Sequence, residues 1–134
     1  RMAGARGAKV AGITRDISPL ETCGADEGGL LILGWGSTYG AIRSATELLL
    51  AEGKSVAHAH LRYLNPFPSN TGEVLKRYRT VLVPELNLGQ LWFVIRGTYL
   101  VDAVSYGRVR GKPFRIAEIA AEAERILAEQ EVAR

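Results

Sequence analysis

The sequence predicts a three-layer α/β domain, in which a largely parallel sheet lies between two layers of helices. Apolar runs without alternation are typical of strands buried on both faces, and Leu30–Leu33 is the clearest of them. Segments with apolar residues at helical spacing alternate with these runs, so right-handed crossovers are expected. A chain of 134 residues with 47% hydrophobic and 23% charged residues fits one packed domain.

Residues 1–28 are interpreted as a lead-in segment, and residues 29–134 as the α/β domain. A short edge strand is expected around Lys9–Thr14, followed by a loop that contains Pro19 and a cluster of Gly, Asp and Glu. Before Asp16 the chain has four basic residues and no acidic one: Arg1, Arg6, Lys9 and Arg15. This local excess indicates a solvated segment rather than a binding arm.

The first half of the domain predicts two strands around one helix. Leu30–Leu33 ends in a glycine-rich turn, and Ser37 or Thr38 is placed to cap the following helix. Apolar residues recur there at helical spacing, and Gly53 provides the left-handed stop. A second strand is expected from Ser55 to Leu64, where a segment with two prolines prevents further ladder bonding.

The second half continues the alternation of helices and strands. Asn70 with Glu73 predicts a capped short helix through Tyr78, and Thr80–Val83 predicts a third buried strand. A helix over Leu88–Arg96, a strand over Asp102–Tyr106 and a helix opened by Pro113 follow. The apolar face of this last helix is predicted to comprise Ile116, Ile119, Ala120, Ala123, Ile126 and Leu127.

Two polar or glycine-rich segments follow strands, namely Gly34–Gly40 and Glu85–Gln90. Ligands of open α/β sheets bind beyond the carboxyl ends of the strands, so the two segments face one crevice if their strands are neighbours. One alternative is that the glycines and Arg62 bind a dinucleotide or coenzyme A. In a dinucleotide site, Arg62 could contact a 2′-phosphate. The third glycine comes one residue late, which favours a turn that serves only the strand-to-helix geometry.

In the segment Glu85–Gln90, helix capping explains every polar residue except Glu85. Asn87 is placed as the N-cap and Gln90 as the residue that reaches back, while Leu86 and Leu91 form a hydrophobic staple. A carboxylate at the end of an apolar strand must be solvated, paired, or hydrogen-bonded by N–H groups of a helix terminus. We expect a structural role for Glu85 rather than acid–base catalysis.

His58, His60 and Arg62 alternate along the second strand and therefore share one face of the sheet. Two imidazoles could bind a metal, but no further ligand is visible, so satisfied histidines under a helix or at an interface are favoured. Large aromatic residues near the turns mark a subunit contact or core packing equally well: Trp35, Trp92 and Phe93. The sequence predicts no catalytic residue and no metal site.

Charge and cysteine content exclude several classes of partner and cofactor. A formal charge of +3, from 17 basic and 14 acidic residues interspersed along the chain, gives no argument for nucleic acid. Cys23 is the one cysteine and cannot by itself form a disulfide or an iron–sulfur cluster, so a cytoplasmic, reducing compartment is expected. Neither a membrane-spanning run nor a signal peptide is recognised in the sequence.

Four stretches of the chain together resemble the end of the alpha subunit of 2-oxoacid:ferredoxin oxidoreductases, and the 2-oxoglutarate type most closely. They occur in the family's order and cover most of the chain from about residue 30: Leu33–Gly40, His60–Pro68, Val83–Leu91 and Gly111–Phe114. Transketolases and pyruvate dehydrogenase beta subunits share this type of terminal domain. The runs Asn87–Gln90 and Asn65–Pro68 look more like the ferredoxin-linked family.

The resemblance implies a fold similar to the C-terminal domain of transketolase, with a five-stranded mixed sheet whose first strand is antiparallel. It implies an enzyme that decarboxylates a 2-oxoacid on thiamine diphosphate, reduces ferredoxin through an iron–sulfur cluster and forms acyl-coenzyme A. It assigns thiamine diphosphate, magnesium and the cluster to the partner beta subunit. The matched residues Gly36, Ser37, Glu85, Asn87 and Gln90 carry over as structural or interface residues.

Overall fold

The computed structural model describes residues 17–62, 64, 66–85, 90–107 and 113–132, and in these ranges it forms one five-stranded sheet. The strands are β1 (Thr22–Gly24), β2 (Gly28–Trp35), β3 (Val56–Leu61), β4 (Tyr78–Glu85) and β5 (Ala103–Gly107). Their order across the sheet is β1-β3-β2-β4-β5. β1 is antiparallel to β3 and all other pairs are parallel, so the predicted mixed, mostly parallel sheet is confirmed.

In the described part of the chain, four α-helices cover the two faces of this sheet: α1 (Tyr39–Ala51), α2 (Thr71–Leu75), α3 (Gln90–Tyr99) and α4 (Ile116–Val132). One apolar cluster joins α1 and α4 to the sheet, and a second joins α2 and α3 to the opposite face. The predicted three layers are therefore confirmed. Within the ranges given above, every helix is too short or too polar to cross a membrane.

β2 lies in the middle of the sheet and supplies side chains to both apolar clusters. Leu30 and Ile32 pack under α1 and α4, whereas Leu31 and Leu33 pack against the layer of α2 and α3. All four side chains are fully buried. This alternation explains why the run lacks a polar face, because a central parallel strand has no side that contacts water.

The chain reverses its direction of travel across the sheet at β2. β3 lies on one side of β2, and the chain then crosses to place β4 on the other side. The carboxyl ends of β2 and β4 are therefore neighbours at a topological switch point. The strands that precede the two polar or glycine-rich segments are thus adjacent, as a shared crevice requires.

Three predicted helix starts differ from the structure. Asn70 precedes α2, but its side chain accepts from the Leu20 N–H at 2.7 Å and donates to the Leu20 carbonyl at 3.0 Å. Thr38 precedes α1, yet its hydroxyl donates to the Trp35 carbonyl at 2.9 Å instead of capping the helix. α4 begins at Ile116, three residues after the predicted proline. Capping patterns identified these helices but not the partners of the polar side chains.

Strand limits also differ from the sequence prediction. α2 ends at Leu75, and Tyr78 begins β4 instead of ending the helix, with its hydroxyl donating to the Ala25 carbonyl at 2.6 Å. β1 lies where the sequence predicted a loop. A strand of three residues is too short to show a hydrophobic periodicity, so the sequence pattern did not reveal it. The edge strand predicted at Lys9–Thr14 lies outside the described residues. Gly53 has φ of 81° and ends α1 as predicted.

Substitution of Gly34 by alanine tests the close packing between β2 and α1. A Cβ atom there would lie 2.4 Å from Cδ1 of Ile42 and 3.0 Å from the Thr38 hydroxyl oxygen. Both side chains are buried, so neither can move aside without disturbing its neighbours. We expect Gly34→Ala to lower the free energy of unfolding by about 1–3 kcal/mol in urea denaturation. Gly40→Ala is the control, because nothing lies within 4 Å of its Cβ position. Equal stability of the two variants would contradict this packing.

Candidate functional site

The carboxyl ends of β2, β3 and β4 bring most of the predicted site residues to one edge of the sheet. Trp35, the last residue of β2, pairs with Leu61, the last residue of β3. Arg62 follows Leu61 and therefore lies at the same edge. The residues that the structure places along this edge, here called the carboxyl rim, are Gly34, Gly36, Ser37, Thr38, Arg62, Glu85 and Gln90. Asn87, the remaining predicted member, lies outside the described residues.

The glycine-rich part of the carboxyl rim is a tight turn between β2 and α1. Gly36 has φ of 66° and begins a 3-10 turn over Gly36–Thr38, a conformation that side-chain-bearing residues adopt at a cost. Gly34 has no space for a Cβ atom beneath Ile42. Packing and backbone geometry therefore account for both glycines, and a dinucleotide- or coenzyme A-binding role is not favoured.

Glu85 is the buried polar centre of the carboxyl rim, with 1% of its surface exposed. Its Oε1 atom accepts from the Leu91 N–H at 2.7 Å, and its Oε2 atom accepts from the Trp92 N–H at 3.0 Å. The indole Nε1–H of Trp35 lies 3.4 Å from Oε1. The carboxylate thus caps the first turn of α3, where unpaired N–H groups and the helix dipole favour a negative charge.

The geometry of Glu85 selects one of the three environments that its sequence position allowed. Both carboxylate oxygens are hydrogen-bonded by N–H groups, two of them from a helix terminus, so the group is held as a structural acceptor. Gln90 is the first residue of α3 and is exposed. The predicted capping box and staple depend on Leu86 and Asn87, which lie outside the described residues.

His58 and His60 lie under the start of α1, packed around the ring of Tyr39. The ring centroid of Tyr39 is 5.4 Å from that of His58 and 5.1 Å from that of His60, and the two imidazoles are 6.2 Å apart. The guanidinium of Arg43 donates to the Tyr39 hydroxyl at 2.7 Å. Cys23 pairs with His58 across β1 and β3, so both side chains lie on the α1 side of the sheet.

The two histidines are not satisfied by the described part of the chain, which corrects the sequence prediction. His58 Nε2 and His60 Nδ1 are buried and have no hydrogen-bond partner there. Burial lowers the pKa of His58 to about 4, and the charges of His60 and Arg43 act in the same direction. Burial and then the charge of Arg62 lower the pKa of His60. Both rings are therefore neutral at pH 7.

The sequence missed Tyr39, Arg43 and Cys23 as neighbours of the histidines. Tyr39 and Arg43 are four residues apart, so the sequence indicates that they share one face of α1. It does not indicate which strand this face covers. Across the described ranges, no group of three or more His, Cys, Asp or Glu residues lies close enough to hold a metal ion.

The three predicted aromatic anchors divide between the core and the surface. Trp35 and Trp92 are half-buried against the cluster under α2 and α3, and the Trp92 indole N–H donates to the Ala103 carbonyl at 2.7 Å. Phe93, on the neighbouring position of α3, is 73% exposed. Core packing therefore explains the two tryptophans, and Phe93 is available for a contact outside the described residues.

Two curated proteins are similar to this chain in sequence, although no protein-family model matches it. The 2-oxoglutarate oxidoreductase subunit KorA of Mycobacterium tuberculosis is 59% identical over 90 residues, which are 67% of this chain and 14% of that protein. Subunit alpha of 2-oxoacid:ferredoxin oxidoreductase 2 from Aeropyrum pernix is 34% identical over 107 residues, 78% of this chain and 17% of the relative. The chain thus spans about one sixth or less of either relative.

Solved structures agree with these sequence relatives. The 2-oxoglutarate:ferredoxin oxidoreductase from Magnetococcus marinus, with 2-oxoglutarate, coenzyme A and succinyl-CoA bound, matches 94% of this chain and 23% of its own. The TM-score is 0.84 at 29% sequence identity. A split-gene transketolase, an inactive beta4 tetramer, matches 84% of this chain and 43% of its own, with a TM-score of 0.63 at 17% identity, and supports the transketolase-like fold alone.

Replacement of the Glu85 carboxylate by an amide tests the cap of α3. The amide nitrogen of Glu85→Gln cannot accept, so at least one buried N–H of the first turn loses its acceptor. We expect a loss of about 1–3 kcal/mol in the free energy of unfolding, measured in urea. Glu73→Gln is the control, since the exposed Glu73 carboxylate lies 3.8 Å from Arg77 and such surface pairs contribute at most about 1 kcal/mol. Comparable losses in both variants would refute the cap.

The lowered pKa of His58 predicts a pH dependence of stability. The unfolded chain protonates His58 below about 6.5 and the folded chain only below about 4, so stability is complete above pH 6.5 and falls between these values. At ~1.4 kcal/mol per pH unit, a shift of about 2.5 units corresponds to a loss on the order of 3 kcal/mol.

His58→Gln isolates this contribution from carboxylates that titrate in the same range. In urea denaturation between pH 7 and 4, the difference in unfolding free energy between the wild type and this variant should shrink as the pH falls. A difference that does not change with pH would show that His58 titrates equally in both states.

Proposed function

Since the chain belongs to the alpha-subunit family of the 2-oxoacid:ferredoxin oxidoreductases, we propose that it is the C-terminal domain of such a subunit. The complete enzyme would oxidatively decarboxylate 2-oxoglutarate to an acyl-coenzyme A and transfer the electrons to ferredoxin. The name of the mycobacterial relative and the ligands of the Magnetococcus enzyme support this choice of 2-oxoacid.

The domain contributes assembly and not chemistry to this proposed reaction. The observation that carries this proposal is Glu85, which among the described residues is the one buried carboxylate and lies at the switch point. Its oxygens accept hydrogen bonds from Leu91, Trp92 and Trp35, and the residue is 1% exposed, so the carboxylate is not within the hydrogen-bond reach of a substrate that a general base needs. An acidic residue that fixes one helix relative to two strands is suited to shaping a surface.

Cofactors are assigned to the remainder of the enzyme in the same proposal. Thiamine diphosphate, magnesium and the iron–sulfur cluster belong to a partner beta subunit, and coenzyme A is a co-substrate of the complex. The partners of this domain are then the rest of the alpha subunit and the beta subunit, with ferredoxin as a partner of the complex, in the cytoplasm. In support, the chain has one cysteine, whereas a cluster with four thiolate ligands needs four.

The exposed face of α3 is the surface that we assign to subunit contact. Phe93 is 73% and Val94 43% exposed on α3. Leu100, which is 86% exposed, directly follows the last residue of the helix. Exposed large apolar side chains on and just beyond one helix favour burial against another protein surface. The Glu85 cap fixes the start of the helix that carries Phe93 and Val94.

Substitution of Phe93 tests the assembly role in the complete complex. Phe93→Ser should weaken association of the alpha and beta subunits at least tenfold, because a buried aromatic anchor contributes on the order of 2 kcal/mol or more. The measurement is subunit dissociation on dilution, followed by analytical ultracentrifugation together with turnover.

Val132→Ser is the matched control, since Val132 is 88% exposed near the end of α4 and lies outside this face. It should leave both association and turnover unchanged. Wild-type association of the Phe93 variant would exclude α3 as the contact surface. Reduced turnover in a fully assembled Phe93 variant would contradict a purely structural role.

A further inference from the structure

The outward surface of α3 is almost without charge, although α3 lies at the surface of the domain. The helix contains one charged residue, Arg96, whose guanidinium carbon lies 5.9 Å from the centroid of the Trp92 ring. Phe93 and Val94 are exposed on the same helix. Because the outward side of a surface helix is normally charged and polar, the composition of α3 is typical of a helix that another surface covers.

Gly97 is a residue of α3 that the described part of the chain does not require to be glycine. It has ordinary helical geometry, is exposed, and has no described atom within 4 Å of the position that a Cβ atom would occupy. Glycine weakens a helix relative to alanine, so neither backbone conformation nor packing within the domain explains it. Gly97 follows Phe93 by four residues and Val94 by three, so it leaves a gap beside them on one helix face.

Leu100 opposes the local preference in the reverse sense. It directly follows α3 with φ of 54°, and its N–H donates to the Arg96 carbonyl at 3.0 Å. This is the left-handed position that ends a helix, which glycine occupies without the steric cost of a Cβ atom. The Leu100 side chain is 86% exposed, so burial in the domain does not compensate for the strain.

The position of α3 in the sheet favours the beta subunit as the covering partner. The Glu85 carboxylate ties the first turn of α3 to the carboxyl rim, and Phe93 lies in this part of the helix. Ligands of α/β sheets bind at this edge, and the proposed function assigns the cofactors of the enzyme to the beta subunit. That subunit is therefore the partner expected to approach the start of α3.

We propose that a large apolar side chain of the partner beta subunit packs on the main chain of α3 at Gly97, beside Phe93, and that Leu100 contacts the same surface. Packed helices insert side chains of one into gaps on the other, and a glycine deepens such a gap to the main chain. One contact thereby explains a glycine within the helix and a leucine at its left-handed end. This inference rests on the proposed contact of α3 with the beta subunit and defines its centre.

Substitutions toward the preference of the free domain test this packing with two readouts of opposite sign. In the complete alpha subunit without its partner, Gly97→Ala should slow hydrogen exchange of the α3 amides about fivefold, because alanine favours the helix. Association with the beta subunit should weaken at least about fivefold, because the methyl group fills the gap. Exchange is followed by mass spectrometry, and association by analytical ultracentrifugation on dilution. Wild-type association of this variant would overturn the proposal.

Leu100→Gly should give the same pair of results for different reasons. Glycine relieves the left-handed strain, so exchange at the end of α3 should slow in the free alpha subunit. Loss of the leucine side chain should weaken association with the beta subunit at least about fivefold. Association equal to that of the wild type would show that Leu100 does not contact the partner.

Gly40→Ala is the matched control, because Gly40 is also an exposed helical glycine with nothing described within 4 Å of its Cβ position. It lies in α1, on the opposite face of the sheet, and should leave association unchanged. Weaker association in this control would overturn the assignment to α3.

The Phe93→Ser variant, measured in parallel, separates this inference from the proposed function. Weak association of Phe93→Ser with normal association of Gly97→Ala would leave the proposed contact intact and refute the packing at Gly97. Normal association of both would refute both. Faster α3 exchange in the free alpha subunit of Gly97→Ala would show that the rest of the alpha subunit fills the gap. Dissociation of alpha dimers by this variant would identify a second copy as the occupant, and either result overturns the choice of the beta subunit.

Discussion

The structure of the carboxyl rim depends on the hydrogen bonds of one buried carboxylate. Glu85 ends β4, receives two N–H groups from the first turn of α3 and lies within reach of the Trp35 indole at the end of β2. Burial of a charged group without such donors costs several kcal/mol, so the position of α3 is fixed by the strand ends. The residues that face outward from this helix are thereby presented in one orientation.

The two faces of the sheet have different roles as a consequence. On one face, α2 and α3 close a well-packed apolar cluster, and polarity is confined to the helix cap. On the other face, α1 covers the apolar residues of β2, and its first turn lies over polar residues of β3, where His58 Nε2 and His60 Nδ1 have no hydrogen-bond partner in the described ranges. One face therefore supports the proposed subunit contact, whereas the other buries two neutral imidazoles beneath the start of α1.

Much of the fold could be predicted because its signals are local. The apolar run of β2 lacks alternation, and the left-handed Gly53 ends α1 where the sequence indicates. Predictions of side-chain partners were less accurate, since Asn70 and Thr38 both have capping chemistry but bond to other groups. A hydrogen-bonding side chain near a helix start has several acceptors and donors within reach, and packing decides among them.

The sequence by itself determined the layered α/β class, the family resemblance and the position of Glu85 at a strand end. Tertiary structure alone decided which helix terminus supplies the N–H groups to that carboxylate. It also decided that β1 lies beside β3, which brings Cys23 opposite His58 and places Arg43 near the unsatisfied imidazoles. The physical reason is that periodicity records which side of an element is buried, whereas the partner of that side depends on strand order and crossover.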